Sequence, residues 1–442
     1  MKIRSLKSAS SLLAMSLMMT ASPSFAQEMP SQAEMWEMIK RQQAQIEALQ
    51  KKLGETEQVV AETNEKVEET EQALEATVVA MEEGMVAAPA ATGAPVTNNA
   101  GLSTMGPRRT GRFTFPTGTS VGGYGELHWN GGNADQIDFH RYVMFFNHEF
   151  NDRIRLFSEV EIEHSLAGDG KPGEVEMEQA FIEIDVTDNS YVDIGLQLVP
   201  VGILNETHEP NTFYGVERNN VEKNIIPTTW WEAGIKYTQN VGDNLRFEAM
   251  LHSGLETPID SFKIRSGRQK VAEANWKNAA YTGRMTWMPA SGVILAATLQ
   301  YQSDLTQSSI TPTSATLFET HADIKRMISD KNEFGLRALY AQWNLNSDEA
   351  ELMGKDIQRG WYIEPSLRHH INADQSIGFF VRYSMWDNTA GSDIDTANKQ
   401  TSFGVNYWPH QRVVLKADYQ IDNYANVDSE DNRFNLGVGF QF

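Results

Sequence analysis

The sequence predicts an all-β fold: a closed transmembrane antiparallel β-barrel of about sixteen strands, preceded by an amino-terminal α-helical coiled coil. Three patterns carry that expectation. The stretch Phe434 to Phe442 alternates strictly, with Phe434, Leu436, Val438, Phe440 and Phe442 apolar and Asn435, Gly437, Gly439 and Gln441 small or polar. One greasy face and one small or polar face suit lipid outside and water inside, although an edge strand of an ordinary amphipathic sheet reads the same way. Similar alternation recurs from Ser120 onward. Upstream of it the period changes from two to seven.

Taken in order, the chain opens with Lys2, Arg4 and Lys7, an apolar run from Leu12 to Met19, and a small-x-small site at Ser24-Phe25-Ala26. That is the pattern of a secretory signal peptide over residues 1–26, with Gln27 as the expected first mature residue. No later stretch reaches the roughly 18 consecutive apolar residues of a membrane helix. A membrane-embedded mature chain therefore has to close a barrel, since an open sheet leaves backbone groups unpaired in lipid.

Residues 27–83 are expected to form a periplasmic coiled coil. Ile39, Ile46, Leu53, Val60, Val67, Leu74 and Met81 recur every seventh position, and Gln42, Leu49, Thr56, Thr63, Thr70 and Thr77 form a second series. Lys52 with Glu57 and Lys66 with Glu71 fall at the spacing that pairs neighbouring helices. The heptads leave the number of helices open, and a single amphipathic helix fits them too. Residues 84–119, rich in Ala, Pro, Gly and Thr, read as a flexible linker, and residues 120–442 as the barrel.

Within the barrel, apolar faces are read at Val121 and Leu127; Ile137, Phe139, Val143 and Phe145; Ile154, Leu156, Val160 and Ile162; and so on to the closing strand. One segment, Phe318 to Ile324, is poorly patterned. Short turns such as Asp188-Asn189 alternate with longer connections such as Thr257 to Lys277, which is the habit of a bacterial barrel with short periplasmic turns. A barrel of this size is expected to hold an aqueous channel. By alternation its pore-lining charges are Arg155, Glu159, Glu161, Glu183, Arg246, Glu248, Arg284, Arg337, Arg382, Arg412 and Asp418, and the mixed signs predict facing positive and negative walls. A simply solvated inner face has the same composition.

The longest unpatterned connection, Val199 to Thr229, is bracketed by Pro200 and Pro227. It is expected to fold inward and constrict the pore with Glu206, His208, Glu209, Tyr214, Glu217 and Arg218. Composition excludes other classes. There is no cysteine, so neither disulfides nor thiolate metal sites are available, and the formal charge of −22 argues against a nucleic-acid partner. The ten histidines show no catalytic motif, and His369-His370 would point opposite ways on a strand. No enzyme activity, metal or cofactor is expected.

The segment Gly195 to Ile203 with its Gly-x-x-x-x-Pro-x-Gly spacing, the downstream Glu217-Arg218, Phe380 to Ser384 with Asp387-Asn388, Gly404 to Trp408, Val414 to Gln420 and the terminal Gly437 to Phe442 resemble the phosphate-selective porin O and P family. The likeness runs from about Ser120 to Phe442. It implies a trimeric sixteen-stranded outer-membrane porin whose third extracellular loop narrows the channel, passing ions and small polar solutes by passive diffusion, anions such as phosphate among them. The family's basic pore clusters are matched here only by Lys263 to Lys270, while residues 111–442 carry 27 Lys plus Arg against 45 Asp plus Glu. The expected partners are outer-membrane lipid, two further copies of the chain, small ions and polar solutes, and peptidoglycan through the coiled coil. A barrel-anchored structural tether, with the coiled coil as its working part, is the alternative.

Overall fold

The computed structural model describes residues 113–114, 118–133, 135–308, 310–425 and 432–442, together with Lys40. Every described strand belongs to the unit Thr97–Phe442. The expected signal peptide over 1–26 and coiled coil over 27–83, Lys40 apart, lie outside the described residues, as does most of the expected linker over 84–119.

The strands are β1 Phe113–Thr114, β2 Thr119–Asn130, β3 Gln136–Asn151, β4 Ile154–Glu163, β5 Val175–Thr187, β6 Ser190–Leu198, β7 Trp231–Val241, β8 Leu245–His252 and β9 Ala280–Ala290. They continue as β10 Val293–Gln302, β11 Ser314–Met327, β12 Asn332–Asn346, β13 Ile357–His370, β14 Ser376–Asp387, β15 Asn398–His410, β16 Val413–Asn423 and β17 Arg433–Gln441. Each strand from β2 to β17 pairs antiparallel with its sequence neighbours, and β17 pairs with β2. The sheet is thus a closed sixteen-stranded barrel, as its alternation predicts. Closure is completed by Phe442, whose N–H donates to Gly123 O at 2.9 Å and whose oxygen accepts from Gly123 N at 3.1 Å. The two residues of β1 pair with Ser120 and Val121, beyond the reach of β17, so part of the expected linker is strand.

Why the faces segregate is legible in the register. Trp129, Leu436, Ala417, Val405, Phe379, Leu367 and Phe334 lie directly opposite one another across six strand pairs. Residues opposite in antiparallel strands share a face, so these form one continuous outward band. Phe379 is 54% exposed and Leu436 43%, whereas inward Asn435 is fully buried. Two elements differ from the alternation read from sequence. A register shift between β2 and β3 places Glu126 opposite Arg141 but His128 opposite Asp138, so Val143 and Phe145 turn inward onto Tyr124 while Ile137 stays outside. The weakly patterned Phe318 to Ile324 belongs to β11, where apolar Ala315 and Leu317 face inward and Thr316 and Thr320 share the outer face with Phe318.

All seven connections that follow odd-numbered strands from β3 to β15 are short, and the long ones, including 164–174, 199–230, 253–279 and 303–313, gather at the opposite end. The lumen is not uniformly wet. Met250, Leu317, Leu339, Ala341, Trp343, Tyr362 and Trp386 make an apolar sector of the inner wall, covered by Val199, Val201, Ile203, Ile225, Ile226 and Trp230 of the 199–230 loop and by Leu255, Phe262 and Ile264 of the next long loop. Arginine at the outward Val438, which sits between Leu127 and Leu415, is expected to cost about 2–4 kcal/mol of folding free energy into bilayers. Urea titration of the folded fraction in liposomes measures it; a cost below about 1 kcal/mol would place that face outside hydrocarbon.

Candidate functional site

The 199–230 loop is tied at its base and then crosses the lumen. Val199 N donates to Trp230 O at 3.0 Å, and Asn205 bridges both limbs, its Nδ2 donating to the carbonyls of Val199 and Trp230 while its Oδ1 accepts from Trp230 N. A four-residue helix, α1 (Val221–Asn224), carries the fully buried Glu222. Its carboxylate accepts from Ile203 N at 2.9 Å, from Leu204 N, and from the Tyr362 hydroxyl at 2.7 Å. Burial pushes this carboxyl up against those stabilising donors.

Beyond Glu206 the loop is received by basic and amide side chains of the far wall. Arg141 Nη2 donates to His208 O at 2.7 Å, Arg337 Nη2 to Thr212 O at 3.0 Å, Asn406 Nδ2 to Phe213 O at 3.1 Å and Lys416 Nζ to Gly215 O at 2.8 Å. Asp418 Oδ2 accepts from Val216 N at 2.6 Å. The inward glycines of the closing strand make room for this contact. A Cβ at Gly439 would stand 2.4 Å from Pro210 Cβ, and one at Gly437 3.2 Å from Val216 Cγ1.

Each expected constriction residue lies in this inward loop, and most of them fasten it. Glu206 pairs with Arg284. Tyr214 stacks on Phe380 with centroids 5.4 Å apart and meets Trp408 edge-on at 5.7 Å. Glu217 accepts from Asn130 Nδ2 at 2.9 Å and lies 3.2 Å from His128 Nδ1. Although burial alone would raise its pKa, the hydrogen bond and charge of His128 hold its carboxyl below the usual carboxylate range. Glu209 is buried with its carbonyl accepting from Thr212 N at 2.9 Å, and His208 is fully buried against Glu178 and Glu159. Arg218 donates to Thr229 Oγ1 at 3.5 Å.

The wall charges pair between adjacent strands instead of facing each other across the lumen. Directly opposite in register are Arg141 and Glu126, Arg155 and Glu183, Lys236 and Asp193, Arg284 and Glu248, and Arg337 and Asp323. The N to O separations are between 2.5 and 3.3 Å in Arg141–Glu126, Arg155–Glu183, Lys236–Asp193 and Arg337–Asp323. Arg382 pairs with Glu364 at 3.0 Å, and Arg246 donates to Asn240 Oδ1 at 3.0 Å. Glu159 and Glu161 are buried on β4, Glu248 on β8 and Asp418 on β16. Arg412 is not on a strand: it occupies the short turn between β15 and β16. Sequence reading does not single out Glu126, Glu178, Asp323 or Glu364. Glu178 follows Glu174 and Glu176 at a period of two, which is the signal the sequence holds for it.

Outside the wall pairs, four cations gather where the loop meets the 253–279 connection. Arg265 Nη1 donates to Thr228 O, Arg268 Nη1 to Thr229 O at 2.6 Å, and Arg218 lies beside the same Thr229. Among the described residues no carboxylate lies within ion-pair distance of Arg218, Lys223, Arg265 or Arg268. Burial, then the neighbouring Arg268 and Arg218, push Arg265 down to about 9; burial lowers Lys223 too, opposed by the charge of Glu217 and aided by Arg265 and Arg218.

Replacing Arg284 by Met leaves Glu206 and Glu248 without their shared cation, both nearly buried. The barrel is expected to lose about 3 kcal/mol, with protease cleavage appearing in the 199–230 loop. An unchanged urea midpoint and an uncleaved loop would contradict this anchoring.

No protein-family model matches the chain. The OmpF of Salmonella typhi, solved in complex with daunomycin, superposes with a TM-score of 0.51 at 13% identity, over 74% of this chain and 99% of its own, and so shares the barrel fold. An uncharacterized protein of Aquifex aeolicus (strain VF5) is 30% identical over 361 residues, 74% of this chain and 80% of that protein. At that identity and coverage, this chain belongs to the same family as the Aquifex protein.

Proposed function

We propose that this chain is an outer-membrane porin that passes ions and small polar solutes by passive diffusion through a barrel narrowed by the 199–230 loop, with a preference for anions, phosphate among them. The observation that carries the reading is a closed barrel with an apolar outer band and a long loop bound across its lumen. The anion preference rests on Arg218, Lys223, Arg265 and Arg268, which gather with no carboxylate within ion-pair distance among the described residues, so that a passing anion relieves their mutual repulsion. The total charge of the chain is acidic, but Glu126, Glu183, Asp193, Glu248, Asp323 and Glu364 of the wall are each matched by a cross-strand cation, and this cluster adds positive field at the long-loop mouth.

Beneath the loop, towards the short turns, a cavity of about 450 Å³ is lined by Arg337, Arg368, Lys325, Tyr214 and Trp408 together with Asp323 and Glu364. It serves in this reading as the inner vestibule. We further propose that the barrel assembles as a trimer in the outer membrane, and that residues 27–83 form a periplasmic coiled coil reaching towards peptidoglycan, joined through residues 84–119.

Purified protein in planar bilayers under a salt gradient tests the reading. Stepwise conductance with anion preference and block by added phosphate is expected. In the Arg265→Gln/Arg268→Gln double variant the anion-to-cation permeability ratio is expected to fall about twofold or more at 0.1 M salt, where screening acts over about 10 Å. Cation preference would remove the anion assignment, and a sealed bilayer would remove the channel.

A further inference from the structure

We propose that Glu159, Glu178 and His208 form a binding site for one divalent first-row transition cation, clamped between the β4–β5 wall and the 199–230 loop. One oxygen of each carboxylate and a ring nitrogen of the histidine all lie within 4.8 Å of one another. His208 Nε2 is 3.5 Å from Glu178 Oε2 and 3.8 Å from Glu159 Oε1. A cation about 2.1 Å from each ligand spans ligand-to-ligand separations of about 3 to 4 Å, so a small inward movement completes the site.

The histidine is prepared for the role. Its Nδ1 lies 3.2 Å from the Asn205 carbonyl oxygen, which can only accept, so Nδ1 carries a proton and Nε2, the nitrogen that faces the two carboxylates, is the one that a cation would take in exchange for a proton. Both His208 and Glu178 are fully buried, and neither Nε2 nor either Glu178 oxygen makes a hydrogen bond. Buried polar atoms left so are costly without a partner. The carboxylates are positioned as well. Glu159 accepts from the Tyr124 hydroxyl at 3.3 Å and from Gln179 Nε2, and Arg141 fixes the His208 backbone at 2.7 Å.

A bulge in β5 brings the third ligand in. Glu159 pairs with Gln179 while the next residue, Val160, pairs with Met177, so Glu178 is the extra residue and turns inward beside its neighbour. Glu161 touches Glu178, which concentrates three carboxylates at one point. Arg141, itself paired with Glu126, and Arg218 are the cations besides His208 that act on the group. Carboxylates in contact repel unless a cation or a proton lies between them. One imidazole with two or three carboxylates suits zinc, manganese or ferrous iron. The other acidic group, Glu163, Glu174 and Glu176, is more exposed and already holds the Lys270 ammonium.

Titrating refolded full-length protein in detergent with Zn²⁺ and Mn²⁺ at pH 7, with bound metal counted by elemental analysis after dialysis, tests the site independently of any conductance. One ion per chain is expected. His208→Gln and Glu178→Gln should each weaken binding at least about tenfold, while Glu174→Gln leaves it unchanged. No retained metal, or equal binding by the His208 and Glu178 variants, overturns the proposal. Heat-modifiable migration on gels shows whether each variant folds. Where one does not, the X-ray absorption spectrum of the zinc-loaded wild type decides: a single imidazole with oxygen ligands supports the site, and an oxygen-only shell overturns it.

Discussion

Everything in this barrel depends on the pairing of β17 with β2. A strand edge in hydrocarbon has no water to satisfy its N–H and C=O groups, so a sheet that crosses lipid must close on itself. Here closure falls to the last nine residues and to Tyr124 through Asn130, with Phe442 and Gly123 exchanging the final two hydrogen bonds. The same strand carries the second constraint. Its outer positions are large and apolar, while its inner Gly437 and Gly439 are small because Val216 and Pro210 of the crossing loop back onto them. One alternation therefore serves lipid on one side and the loop on the other.

The loop in turn explains the wall. Arginines that the barrel turns into the lumen divide their donors between a carboxylate on the adjacent strand and a carbonyl of the loop, as Arg141, Arg337 and Arg382 do. These side chains give rigidity to the constriction more than free charge to the pore. The loop's other flank is apolar and buries Ile225, Ile226 and Trp230 against Trp343 and its neighbours. A wide barrel thereby gains a partly packed interior at one sector and keeps polar space elsewhere.

Much of this is legible in the sequence wherever one physical demand acts on a strand. In β14, β16 and β17 lipid alone sets the outer face and the period of two is clean. In β11 and β12 the inner face also packs against the loop, so Leu317, Leu339 and Trp343 blur the contrast. Alternation puts Val143 and Phe145 on the wrong face because a bulge shifts parity without leaving a mark in composition. Glu178 escapes for the same reason. The length of the 199–230 segment and its bounding prolines announce an inward loop. Its anchors depend on which distant residues the barrel brings opposite it, and no local pattern encodes that.

The central claim, that the 199–230 loop lies across the lumen against the closing strand, is tested most directly by a cross-link. The chain has no native cysteine, so Val216→Cys with Gly437→Cys introduces the only two thiols. A Cβ built at Gly437 lies 3.2 Å from Val216 Cγ1, within the reach of a disulfide. Mild oxidation of the folded protein is expected to join the two positions quantitatively, seen as one linked tryptic peptide pair and the loss of both free thiols. Two thiols that stay free and react readily with a water-soluble maleimide would show that the loop does not cross the barrel.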